Sequence, residues 1–162
     1  MEIAAPRLEI LPAKLLIGMR RPMTFATMNP AILWSALMPR KHEISSILGT
    51  DLYSMEVFPI GFFSTFSPHA EFDKWAAMEV SEIQDIPEGM ESITVPEGMY
   101  AVFVHHGPAS EGKKTYDHIF RTWLPSSDYL LDERPHLAIM GAKYRHNDPQ
   151  SEEEIWIPVR KK

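Results

Sequence analysis

Cysteine is absent from the 162 residues. That excludes disulfides, zinc–thiolate sites, iron–sulfur clusters and a thiol nucleophile. Positive charge is scarce: 16 Lys and Arg against 22 Asp and Glu leave a net charge of −6. Direct nucleic-acid binding, which needs a basic face, is not expected. No apolar run approaches the roughly 20 residues that cross a membrane. Met1 to Ile10 lack the basic-then-apolar order of a secretory signal, so the expectation is a cytoplasmic protein. Glycine-rich phosphate loops, a GxSxG elbow and an HExxH helix are missing too. His42, His69, His118, His136 and His146 are scattered, and adjacent His105 and His106 point to opposite faces of a strand. No metal set and no cofactor are expected.

What is there is an ordinary globular balance, 44% hydrophobic and 23% charged, enough for one domain with a sizeable core. Ten Met, eight Phe, five Tyr and four Trp supply adaptable, polarizable apolar surface. On composition alone that surface suits a Met-rich core before it suits a promiscuous pocket.

Along the chain, Arg7–Met19 reads as a strand interrupted at Pro12. Asn29-Pro30 opens a helix, with Ile32, Leu33, Ala36 and Leu37 at helical spacing. Pro39 should kink or break it, and the pattern resumes at Ile44, Ile47 and Leu48 until Gly49. Leu52–Ile60 and Phe72–Val80 read as strands, the second with Trp75, Ala77 and Glu79 on one face, and Gly61–His69 is a loop between them. After the acidic connector 81–90, Ile93–His105 is a strand pair or a bent strand around the turn Pro96-Glu97-Gly98. Ser110 opens a second helix, marked on one face by Tyr116, Ile119, Phe120 and Trp123 and ended by Leu124-Pro125-Ser126-Ser127. Leu137–Lys143 and Glu153–Arg160 are the last strands, separated by the turn Asn147-Asp148-Pro149. The order strand–helix–strand–strand occurs twice, over about 5–82 and 88–162. The fold class is therefore α+β: duplicated β-α-β-β modules, antiparallel sheets and two main helices within one domain.

The run Ile93-Thr94-Val95-Pro96-Glu97-Gly98-Met99-Tyr100-Ala101-Val102-Phe103, followed by His106-Gly107-Pro108, resembles a stretch typical of the GyrI-like effector-binding family. Trp123-Leu124-Pro125-Ser126-Ser127 and Glu154-Ile155-Trp156-Ile157-Pro158-Val159 resemble that family's helix end and closing strand. Trp34, Met38-Pro39-Arg40, Glu43-Ile44 and Trp75–Val80 also fit. The resemblance implies two SHS2-type modules about a pseudo-twofold, with a ligand cleft between them. It relates the chain to the effector-binding domains of AraC-type and MerR-type bacterial transcription regulators. The match occupies almost every residue, so a stand-alone type is expected. The implied function is binding of an amphipathic, cationic or aromatic drug or metabolite, for sensing or sequestration. Two alternatives are a hydrolase of reactive electrophilic natural products using a Glu and a Tyr, and a protein-interaction module of the gyrase-inhibitor type. A homodimer or another protein partner is left open.

Strand alternation puts Ile155, Ile157 and Val159 on a core face and Glu152, Glu154 and Trp156 on the other. The resemblance makes Glu154 the ligand's charge partner, where the spacing alone favours a solvated acidic run leading into a strand. An aromatic face beside such a carboxylate adds about 0.5–2 kcal/mol of cation–π attraction. Trp156, Tyr100, Trp75, Tyr53 and Phe58 are candidate pocket aromatics, with Met55 and Met78 as flexible lining. Each of these suits a core equally well. Trp34 and Trp123, at apolar helix positions, belong to the helix–sheet core. Tyr100 is the candidate partner of Glu154 in the hydrolytic alternative. Ala138 stands where the family often carries an acidic residue, which implies a less negative cleft.

Overall fold

The computed structural model describes residues 3–145 and 148–162. The expected turn residue Asn147 and His146 lie outside the described residues. Among the described residues, nine strands and three α-helical segments follow in chain order: β1 (Arg7–Leu11), β2 (Lys14–Met23), α1 (Ala31–Leu37), β3 (Leu52–Val57), β4 (Phe72–Val80), β5 (Glu91–Val95), β6 (Gly98–His106), α2 (Gly112–His118), α3 (Leu124–Ser126), β7 (Tyr129–Leu131), β8 (His136–Met140) and β9 (Glu152–Lys161). The repeated order is β2-α1-β3-β4 and β6-α2-β8-β9, with β7 an addition that pairs only with β9.

All pairing is antiparallel, in the order β1-β6-β9-β8-β3-β4-β2-β5. The ends of that order meet. Arg7 lies opposite Val102, Leu11 opposite Gly98, Lys14 opposite Val95 and Gly18 opposite Glu91. Each step forward on β1–β2 is one step back on β5–β6, so the two long segments form one register across their bends. The sheet is thereby closed into a ring, which removes its free edges there. The bends at Pro12-Ala13 and Pro96-Glu97 also flip the alternation. Leu11 and Leu16, and likewise Val95 and Tyr100, point to the same side although an odd number of steps separates each pair. Proline fits there because it breaks the ladder where a strand must be re-aimed. Gly18 is needed where β2 meets β4: a Cβ would stand 2.0 Å from the carbonyl oxygen of Ala76.

The ring has a filled interior, as small barrels do. Leu16, Tyr53, Met55, Trp75, Val95, Tyr100, Leu137 and Trp156 form its core. Two further clusters lie on the outer surface. Leu33 and Leu37 of α1 pack on Ile17, Ala76 and Met78, with Trp34 beside them. Ile119, Tyr116, Phe120 and Trp123 pack on Ala101, Phe103, Ile155, Ile157 and Val159. Trp34 and Trp123 thus sit in helix–sheet cores, as their spacing implies.

Local readings needed correction in several places. The first helix does not resume at Ile44. Pro39 starts a 3-10 turn over Met38–Glu43, and Ile44 is already extended. Ile47 bridges to Val80 instead, and Gly49, at φ 67°, belongs to a loop. Leu52–Ile60 stops as a strand at Val57, ahead of Phe58-Pro59. The second helix opens as a 3-10 turn over Ala109–Glu111 and becomes α-helical at Gly112. It then widens into a π-turn over Ile119–Trp123. The strand expected at Leu137–Lys143 is His136–Met140.

Candidate ligand-binding groove

Six of the eight side chains singled out in the sequence share the interior face: Tyr53, Met55, Trp75, Tyr100 and Trp156 in the packed core, with Glu154 at its rim. Trp156, Leu137, Met55 and Trp75 are consecutive neighbours across β9, β8, β3 and β4. Trp75 is 3% exposed, Met55 0% and Trp156 7%, so their apolar surface is spent on one another. Met78 and Phe58 lie on the outer surface with the α1 cluster.

Where the interior reaches its rim, the protein supplies its own cations. Arg7 Nη2 donates to Glu154 Oε2 at 2.9 Å, and its guanidinium sits 5.8 Å from the centre of the Trp156 ring. Trp156 Nε1 donates to the other oxygen of Glu154. Lys14 Nζ reaches Glu79 at 3.2 Å and lies 5.9 Å from the Tyr53 ring centre, and Tyr53 donates its hydroxyl proton to Glu79. Arg134 lies 4.7 Å from the Tyr100 ring centre, pairs with Asp132 and donates to the carbonyl oxygens of Met99 and Val159. Gly98 makes room for it, since a Cβ there would overlap the guanidinium. Three aromatic rings therefore each face a protein cation that already has its carboxylate. Tyr100, the candidate acid–base tyrosine, donates to Pro135 O at 2.8 Å, and burial pushes its pKa up to about 12.

The outer surface between the two helical flanks differs. Small residues make up three positions of its floor, because Ala76, Ser54 and Ala138 are register neighbours on β4, β3 and β8, with the larger Ile155 next to them on β9. Ala138 is therefore on this surface and not in the interior. Along one side of the floor, Tyr116 and Phe120 project from the second helix and its π-turn, a feature often found at functional sites. The end is closed by Phe58, Phe63 and His136. Phe63 stacks on Phe120 at 5.5 Å and on His136 at 5.7 Å. His136 is buried in this ring cluster, which lowers its pKa to about 3, so it stays neutral. A cavity of about 270 Å³ lies against Phe58, Phe63 and His136, lined also by Asp132, Glu133 and Arg160 and by no residue of the groove floor.

Charges are buried here. Lys74 Nζ lies 2.7 Å from Glu56 Oε2 and donates to Ser54 Oγ, also at 2.7 Å. Lys74 is 5% and Glu56 8% exposed. Glu153 projects from β9 on the same surface, opposite His105 of β6. No ion pair or hydrogen bond holds its carboxylate among the described residues. Burial raises its pKa, His105 and Lys74 pull it back in part, and Glu56 adds to the rise. Burial likewise raises the Tyr116 hydroxyl pKa, with the charges of Glu56 and Glu153 both contributing. His105 Nε2 faces the acceptor Pro108 O at 3.0 Å and so carries the proton, while Nδ1 meets Thr115 Oγ1 at 2.7 Å.

Sequence reasoning did not single out Glu153, Glu56, Lys74 or Arg7. Glu153 belongs to an acidic triplet and sits one residue before the carboxylate that was chosen. The one signal for it was its alternation phase, shared with Ile155 and Ile157.

The family model for the GyrI-like small-molecule-binding domain matches residues 4–160. The transcriptional regulator BrlR of Pseudomonas aeruginosa is 30% identical over 135 residues, covering 78% of this chain and 45% of its own length. The chain thus spans less than half of that relative. Among solved structures, SAV2435 bound to tetraphenylphosphonium aligns over 99% of this chain and 94% of its own, at TM-score 0.72 and 15% identity. The EcmrR C-terminal domain aligns over 100% of both chains, at TM-score 0.72 and 16% identity. These likenesses show the fold. With the family match across nearly every residue, this chain belongs to the GyrI-like small-molecule-binding domain family.

Proposed function

We propose that this chain binds a lipophilic aromatic monocation in the outer groove, with Glu153 as the charge partner, for sensing or sequestration. The observation that carries this reading is the contrast in pairing. Glu154, Glu79, Asp132 and Glu56 each have an Arg or Lys, whereas Glu153 has none among the described residues and is only partly exposed. An unpaired, half-desolvated carboxylate is costly to keep and gains most from a cation brought to it. Phe63, Phe120 and Tyr116 give that cation ring surface, and Ala138 and Ser54 give it floor space. The tetraphenylphosphonium-bound neighbour is consistent with such a ligand class.

Calorimetric titration with tetraphenylphosphonium tests this, with neutral triphenylphosphine oxide as control. Saturable binding of the cation, weakened at least about tenfold by Glu153→Gln and unchanged by Glu154→Gln, is the expected result. Equal binding of the neutral probe, or indifference to Glu153→Gln, would sink the reading.

A hydrolytic reading is favoured by one feature, the electrostatic influence of Glu153 on the Tyr116 hydroxyl. A carboxylate with a raised pKa can activate water, and a tyrosine kept protonated can donate to the leaving group. Turnover of an epoxide probe, lost in both Glu153→Gln and Tyr116→Phe, is the result that would support it.

A further inference from the structure

We infer that Lys74 sets the charge that the groove accepts, acting as a built-in cation that restricts it to singly charged ligands. This rests on the outer groove as the binding site. Three charged side chains stand on this surface from three strands: Lys74 from β4 and Glu56 from β3 on one side of the Ser54–Ala138–Ile155 line, and Glu153 from β9 on the other, near enough for their charges to act on it. Lys74 is held at 2.7 Å by Glu56 and at 2.7 Å by Ser54, with almost no exposure, so it cannot leave for water when a ligand enters. Its charge cancels Glu56 and leaves Glu153 to be matched among the described residues of this surface. These three side chains then sum to a charge of about −1, and a second ligand charge would meet an ammonium whose carboxylate is already taken. Ala138 completes the argument, because the floor position between Ser54 and Ile155 adds no charge of its own.

Lys74 does not have to touch the ligand for this role. It acts on selectivity through the field it imposes on Glu153 and on the space above Ser54. A purely structural lysine would predict that all ligands weaken together when the pair is disturbed. A charge-setting lysine predicts that ligands of different charge respond in opposite directions.

The test uses three variants and two probes: tetraphenylphosphonium and an alkane-bridged bis-triphenylphosphonium dication. Glu56→Gln leaves Lys74 unopposed and should weaken the monocation at least about tenfold. The double variant Glu56→Gln/Lys74→Met removes both charges and should restore monocation affinity to within about threefold of the parent. Lys74→Met alone frees Glu56 and should raise the preference for dication over monocation at least about tenfold. Should that variant not fold, the Glu56→Gln loss and its rescue by the double variant decide the matter. A Glu56→Gln loss without rescue, or an unchanged probe preference in folded Lys74→Met, overturns the inference alone. Absence of monocation binding in the parent protein, or its persistence in Glu153→Gln, overturns the underlying site instead.

Discussion

The interior of the ring and the groove outside it are built from the same materials and have reached opposite electrical states. Both set aromatic rings beside carboxylates. In the interior, Trp156, Tyr53 and Tyr100 face Arg7, Lys14 and Arg134, and each cation has its own acid in Glu154, Glu79 or Asp132. In the groove, Lys74 satisfies Glu56, and Glu153 is left over. Residue type alone therefore does not make a binding site. A carboxylate beside an aromatic ring is a cation site only while nothing in the protein has filled it.

The largest expected effect separates core from groove by stability. Trp156→Ala removes a ring packed among Tyr100 and Leu137, and should cost about 3–5 kcal/mol in urea unfolding. Cation affinity of the folded fraction should stay at the parent value. A binding loss that exceeds the unfolded fraction would mean that the interior itself takes ligand.

Glu153→Gln comes next, and its effect on stability has the opposite sign to its effect on binding. The folded-state pKa of Glu153 is raised, so the folded protein holds its proton to higher pH than the unfolded chain does. The penalty is absent below the unfolded value, near 4.5, and grows as pH rises through the raised folded value. The parent should thus lose stability over that window, and the variant should lose less. Cation binding by the parent should strengthen over the same window as the carboxylate ionises. Thermal unfolding and titration at matched pH values would show both trends, and a pH-independent difference between the two proteins would contradict the assignment.

Arg7→Ala is a smaller perturbation that converts one region toward the other. The Arg7–Glu154 pair is about two-fifths exposed on both sides, so its loss should cost no more than about 1 kcal/mol. It leaves Glu154 and Trp156 without their cation. Weak binding of tetramethylammonium, absent in the parent, should appear by calorimetry, and its failure to appear would mean that ring and carboxylate do not suffice. The smallest effect is expected from Glu154→Gln: under about 1 kcal/mol in stability, because its ion pair is at the surface, and no change in tetraphenylphosphonium affinity.

These contrasts also mark how far the sequence could be read. Alternation along Glu154–Val159 separated Ile155, Ile157 and Val159 from Trp156, and the structure places them on opposite faces. The apolar spacing of Tyr116, Ile119, Phe120 and Trp123 marked the second helical flank. Alternation could not say which face is spent. Glu153 and Glu154 are neighbours in one acidic run, and what distinguishes them is an arginine 147 positions away that reaches only Glu154. The misread helix at Ile44–Gly49 has a similar cause: Ile47 is apolar because it bridges Val80, a contact that local spacing cannot represent.

By itself, the sequence determined the elements and their faces, because helix and strand periods are set by local backbone geometry. It also determined the bends at Pro12 and Pro96, because proline cannot serve a ladder. Only the tertiary structure decided that the two bent strands share one register and close the sheet, and so turned one aromatic face into a filled interior. It also decided which carboxylates meet a cation of the protein's own. Ion pairing depends on distance in space, and Arg7 with Glu154, Lys14 with Glu79 and Lys74 with Glu56 are brought together by strand pairing.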